Sequence, residues 1–139
     1  MSLAMASCPL TAEESGIRGY WLEPSGAIIR IAPCAQRLCV WIVALPSGDH
    51  PRTDVHNPDP TLRERSLCGL RVGREFVESD PQHADSGSLY DPKSGRTYSG
   101  ALRAEANQLH LRGYVGLKIF GRTETWTRTQ AATSLCVAK

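Results

Sequence analysis

Lysine, methionine and phenylalanine are scarce in this chain, with three, two and two among 139 residues. Thirteen arginines bring the formal charge only to +2 and gather into no basic run. A nucleic-acid binder needs a dense cationic footprint, and none is present. Long apolar stretches are missing as well. The longest, Leu38 to Leu45, has eight residues, against the roughly 20 that a membrane-spanning helix requires. No C-x-x-C pair occurs, which removes the zinc ribbon and the thioredoxin-type redox motif. The G-x-S-x-G frame is absent, the four histidines have no motif context, and Glu13-Glu14 falls outside the expected domain. Nothing in these patterns argues for an enzyme, although a hydrolase triad assembled from distant positions leaves no linear trace. Asp49, His50, Asp54, His56, Asn57 and Asp59 crowd one segment, yet without the ligand spacing of an EF-hand or a zincin. Beside prolines, such residues read as turn and cap formers, so no metal and no cofactor are expected.

What the chain does contain is strand and turn signals in alternation, with little helical periodicity. Strands are predicted over Ile17–Glu23, Ala27–Ala32, Leu38–Leu45, Leu67–Glu78, Gly87–Asp91, Arg96–Ala104, Gln108–Val115 and Gly121–Thr129. A loop is expected over Asp80–Asp85. Between the third and fourth strands, Pro46 to Ser66 carries four prolines and cannot be strand throughout. Thr61–Arg65 suits one helical turn, capped by Asp59 with Pro60 at the first helical position. In the last strand, Arg122, Glu124, Trp126 and Arg128 share one face. Eight antiparallel strands in meander order close naturally into a barrel, and closure removes exposed edges. The expected fold is therefore an all-β, eight-stranded meander barrel over residues 17–129. An N-terminal extension (1–16) precedes it and a tail (130–139) follows.

Five cysteines are many for so small a domain. Cys34 and Cys39 flank a predicted hairpin tip, where opposite residues lie within bridging distance. A second bridge, Cys8–Cys136, is expected from both termini reaching one end of an even-stranded barrel. Cys68, inside a predicted strand, is expected to stay a buried thiol. Disulfides persist in oxidising compartments, so the protein is expected to be periplasmic or secreted. Met1–Ser7 shows no signal peptide, and Met1-Ser2-Leu3 resembles a vector remnant.

Gly19-x-Trp21 on the first strand and Arg128 on the last are neighbours in a closed meander, where the guanidinium can lie across the indole. This pair resembles the lipocalin and calycin signature. Further motifs follow in order: Asp54-x-x-Asn57-Pro58, Arg63-x-Arg65-x-Leu67-x-Gly69, Tyr90-Asp91-Pro92-x-x-Gly95-x-Thr97-Tyr98, Leu109-x-Leu111-Arg112-Gly113-Tyr114, Phe120-Gly121-Arg122-Thr123 and Trp126-Thr127-Arg128. Together, from Ile17 to Arg128, the chain resembles the bacterial envelope family called domain of unknown function 2147. The resemblance implies an exported, calycin-like barrel, with Asp54 and Asn57 as loop organisers at its mouth. Ser86-Gly87-Ser88 departs from the family pattern, which would place a tryptophan before the glycine and so alter one wall.

Trp41, Tyr90, Tyr98 and Tyr114 are the candidate ligand-binding aromatics, since such side chains join apolar area to a polar handle, and Asp54 and Asn57 by the entrance are candidate ligand-binding residues with them. Plain core packing is the competing reading for all four, because strand phase decides between them. A cavity wall of Ile29, Ile31, Val40 or Trp41, Leu102 and Leu111 would take a small, largely apolar ligand. The alternative is an interaction module of the bacterial envelope, for example a hydrolase inhibitor using the long loop. A monomer or weak dimer is expected in either case.

Overall fold

The computed structural model describes residues 16–131 and Cys136. Eight strands run in chain order: β1 (Gly19–Leu22), β2 (Ile28–Cys34), β3 (Arg37–Ala44), β4 (Arg71–Asp80), β5 (His83–Asp91), β6 (Arg96–Glu105), β7 (Gln108–Tyr114) and β8 (Arg122–Thr129). Each is antiparallel to the next, and β8 pairs back onto β1 through Trp21 and Arg128, so the sheet closes into a barrel. The long loop lies between β3 and β4. Its helical turn is a one-turn 3-10 helix over Pro60–Leu62, and the Asp59 side chain caps it by accepting from Thr61 N. Two boundaries differ from expectation by four residues. β4 starts at Arg71, because Cys68–Leu70 still belong to the loop. The segment expected as loop over Asp80–Asp85 is a tight turn, with β5 already running from His83.

One end of the barrel carries the short turns at 35–36, 81–82 and 106–107. It is sealed by the N-terminal residues. Ile17 and Trp21 are fully buried there, and the indole Nε1 donates to Ile17 O at 2.7 Å. The Arg128 guanidinium lies 4.1 Å from the Trp21 ring centroid and donates to the carbonyls of Arg18 and Gly16. Arg18 in turn makes a two-pronged contact with Glu78, at 2.8 and 3.2 Å. The expected cation–π plug is therefore present, with carbonyl contacts added. Arg128→Ala is expected to lower stability by about 1–3 kcal/mol without changing the fold. Equilibrium urea unfolding measures it, and an unchanged midpoint would deny the plug a structural role.

The middle of the barrel is filled. Phe76 is fully buried, and its ring occupies the space over Gly87 and Gly100. A Cβ at Gly87 would overlap the ring, and one at Gly100 would stand 3.1 Å from it. Bulges at Glu75 and Ser86, both with positive φ, shift the registers β3–β4 and β5–β6 beside this ring. Such bulges re-aim side chains. Ser86 is exposed at its bulge, so the residue there does not contribute to the inner wall.

Two disulfides are formed among the described residues. Cys34–Cys39 spans the β2–β3 hairpin as expected, with Cα atoms 5.8 Å apart. Cys136 pairs with Cys68, not with Cys8, which lies outside the described residues. Cys68 is consequently no free thiol. The reason is its place: it sits in the loop before β4, and Cys136 N donates to Val43 O on neighbouring β3 at 2.6 Å. Peptide mapping of the unreduced protein should recover Cys34–Cys39 and Cys68–Cys136 peptides. Alkylation of Cys68 without prior reduction would refute the second pairing.

Candidate functional site

The other end of the barrel is different. On β7, Leu109, Leu111 and Gly113 face inward, and they pair with Trp126, Glu124 and Arg122 of β8. Trp126 is buried, whereas Glu124 and Arg122 are exposed although they share its inward face. Inward side chains reach water only where a barrel is open. A Cβ built on Gly113 meets only its strand neighbour Tyr98, at 3.7 Å, and nothing from across the barrel. Above the Phe76 layer the interior thus opens into a shallow vestibule. Leu111, Leu89 and Trp126 give its wall apolar surface, and Tyr98, Arg122 and Glu124 give it polar groups.

A salt bridge crosses the mouth. Lys93, in the β5–β6 turn, reaches Glu23, just after β1, at 2.6 Å, and Ser25 Oγ donates to the same carboxylate oxygen at 2.6 Å. In an eight-stranded ring these two turns lie on opposite sides, so the pair straps the opening. Partial burial alone would depress the Lys93 ammonium. The hydrogen bond to Glu23, with the attraction of Glu23, Glu124 and Asp91, instead holds it above its ordinary value. Within the wall, Trp126 Nε1 donates to Glu124 Oε1 at 2.6 Å. The rim therefore carries two cations and two carboxylates over an apolar floor. That arrangement places polar partners of both signs around the mouth.

The family model for an uncharacterized protein conserved in bacteria (DUF2147) matches residues 19–128. The chain belongs to this family. No curated protein matches it. Among solved structures it is similar to HP1028 of Helicobacter pylori, a protein described as belonging to the lipocalin family. The TM-score is 0.75 and the identity 20%, over 84% of each chain. At that identity the likeness concerns the fold, a lipocalin-like barrel. The two disulfides and the bacterial family are consistent with a place outside the cytoplasm.

Of the aromatics expected at a ligand site in this family member, only Tyr98 stands at the vestibule. Trp41 pairs with Arg30 on the outer face of β3, and the inner wall is made by Val40. Tyr114 pairs with Ser99, also on the outer face. Tyr90 is outward as well, but it is covered by the long loop. Its hydroxyl donates to Asp54 Oδ1 at 2.6 Å, and Arg65 stacks 5.5 Å above its ring. Asp54 is completely buried. It also accepts from Asn57 Nδ2 at 2.8 Å and Arg65 Nε at 2.9 Å, while Asn57 Oδ1 takes the Asp59 N–H. Burial pushes the Asp54 carboxyl upward, but these three donors outweigh it and hold the group below its ordinary value. Burial, then the Asp54 hydrogen bond, push the Tyr90 hydroxyl up to about 12. Asp54 and Asn57 are thus loop organisers, with their polar atoms turned to the protein itself.

The residues missed in the sequence are Glu23, Lys93, Arg122 and Glu124. A separate groove of about 460 Å³ runs outside β5–β8, between His83, Arg103, His110 and Lys118. Its cations are engaged locally, Lys118 by Asp85 and Arg103 by Glu105.

Proposed function

We propose that this protein is a periplasmic or secreted barrel that binds a small, largely apolar molecule end-on in the vestibule. The observation that carries this reading is the exposure of Glu124 and Arg122 on the inward face of β8, above a core sealed by Phe76. The apolar body of the ligand rests against Leu111, Leu89 and Trp126. Its length is limited, because Phe76 blocks the way to Trp21. Its polar end stays among Lys93, Arg122, Glu23 and Glu124. Since those charges sum to zero, a dipolar or zwitterionic head fits better than one carrying a large net charge, whose desolvation would need paired counter-charges.

Gly113 offers the test. It lies in an extended strand where a Cβ would make only ordinary contact with Tyr98, so Gly113→Leu should fold at least as well as the parent. The added side chain fills the vestibule. Native mass spectrometry of delipidated protein, against amphiphiles of graded chain length, should show adducts with the shorter ones. Gly113→Leu should weaken them by about tenfold or more, the loss of roughly one buried side chain's contact. No adduct with any amphiphile, or undiminished adducts in Gly113→Leu, would sink the proposal.

The interaction-module reading has support of its own in the order of the long loop. The Thr53–Ser66 bridge, the Asp54 network and the nearby Cys68–Cys136 bond hold it, while Val55 and Leu62 stay exposed. A stiff loop with exposed apolar residues suits a contact surface. Retention of an envelope hydrolase by the parent, lost on Val55→Asp, would favour it.

A further inference from the structure

The β7–β8 connection, Val115 to Gly121, stands at the open end and exposes its apolar residues to a degree found nowhere else among the described residues. Val115 is 75% exposed, Leu117 64%, Ile119 75% and Phe120 77%. Such a cluster in a small water-soluble fold marks a contact site. The polar features around it suggest what it contacts. From Ala106 to Thr123 the chain has no acidic residue, but it has Arg112, Lys118 and Arg122. Half-buried Tyr114 adds an aromatic ring beside the loop. Apolar tips with basic and aromatic flanks are the composition that settles at a membrane surface, with cations near the headgroups.

The backbone is prepared for the same environment. Lys118–Phe120 form a one-turn 3-10 helix, in which Phe120 N donates to Leu117 O and Gly121 N to Lys118 O, both at 3.1 Å. Arg112 reaches up from β7 and donates to Lys118 O at 2.9 Å, Ile119 O at 3.2 Å and Thr123 Oγ1 at 2.9 Å. The carbonyls of residues 117, 118 and 119 therefore have protein partners already. A loop tip that leaves water with unsatisfied carbonyls is penalised heavily, and at these three positions that penalty is avoided. Lys118 pairs with Asp85 at 2.5 Å, yet its side chain remains about half exposed and available to a second anion.

We propose that Val115–Phe120 is an interfacial anchor that seats the open end of the barrel on an anionic lipid surface. The tip carries no acyl chain, so its docking is weak and reversible, with a partition constant on the order of that of a single acyl chain, about 10⁴ M⁻¹ or less. This docking is independent of whether the vestibule takes a ligand.

Flotation of the intact protein with phosphatidylcholine vesicles, alone or mixed with phosphatidylglycerol, tests it. The parent should float with the mixed vesicles and less with the neutral ones, and rising salt should reduce the difference. Ile119→Ser combined with Phe120→Ser should reduce flotation about tenfold or more while leaving the melting temperature unchanged, because both side chains are exposed. Lys118→Gln should reduce only the preference for anionic vesicles. Phe120→Trp should report a blue-shifted emission when vesicles are added. Three results overturn the proposal. One is a parent that never floats, which would leave the loop to a protein partner. Another is a double serine variant that floats as well as the parent. The third is a parent dimer in sedimentation velocity that the double variant dissolves, which would give the loop to a second copy of the chain.

Discussion

Phe76→Ala is expected to destabilise the barrel by about 3–5 kcal/mol, the range for truncating a fully buried aromatic. Phe76 is the largest side chain in the middle layer, and three strands are shaped around it. Gly87 and Gly100 have no Cβ where the ring lies, and the β4 bulge at Glu75 precedes it. None of these neighbours can move in to replace the ring, since glycine has no side chain to extend. The space left behind therefore persists, and persistent cavity volume adds to the lost transfer free energy of the ring. The same substitution has a functional consequence. Removing the ring deepens the vestibule toward Trp21, so longer amphiphiles should gain affinity relative to short ones. Chemical unfolding and native mass spectrometry read the two effects separately. A loss below about 1 kcal/mol would mean that the core collapses onto the site, against the glycine argument. The reverse substitution, Gly87→Ala, should also destabilise, by about 1–3 kcal/mol, because the ring must shift.

Phe76 also shows how far the sequence could be read. Its alternation with Leu70 and Val72 indicates a strand, but not that Gly87 and Gly100, 11 and 24 residues on, surround one ring. That knowledge needs the register across β4, β5 and β6, and two bulges shift it. The strand count, meander closure, hairpin disulfide and Trp21–Arg128 stack were legible, because each rests on local alternation or on neighbourhood in a closed ring. The inward or outward phase of three of the four candidate aromatics was not. Trp41 and Tyr114 are one residue out of phase with the interior, and a single step moves a side chain to the other face. Arg122 and Glu124 were within reach. They share a face with Trp126 and Arg128 in the sequence, and Arg128 was already placed against Trp21 inside the barrel. Carried two and four residues back from Trp126, that phase puts both charges inside the mouth. Cys68–Cys136 was beyond reach for another reason: pairing two loop cysteines depends on where the chain passes β3, and no periodicity records it.

The long loop should be sensitive to a single carboxylate. Asp54→Ala is expected to cost about 3–5 kcal/mol, because it leaves the Asn57 amide, the Tyr90 hydroxyl and the Arg65 guanidinium without their common acceptor. Arg65 is partly exposed and can turn to water, which favours the lower part of that range. Asp54→Asn keeps the shape and one acceptor oxygen but loses the charge, so its cost should be smaller. The pH dependence separates charge from shape. The Asp54 carboxyl is held below its ordinary value in the folded protein, so its contribution is complete above about pH 4 and is lost as pH falls through the folded pKa. Tyr90 is shifted the other way, to about 12, so its contribution is complete below about pH 10 and is lost as pH rises toward the folded value. Asp54→Asn should flatten the acid limb of the stability profile. Tyr90→Phe should flatten the alkaline limb and leave the acid one largely in place. The site of failure should also be local. The Thr53–Ser66 bridge and the Arg65–Asp54 contact close the loop on itself, and the Tyr90 hydrogen bond to Asp54 fastens it to β5, whereas the barrel closes through other residues. Limited proteolysis of Asp54→Ala should therefore cut first between Pro46 and Ser66, with the barrel strands surviving as one resistant body held by the β3–β4 and β1–β8 pairings. Cleavage that begins instead in the short turns at 35–36 or 106–107 would show that Asp54 supports the whole barrel and not the loop.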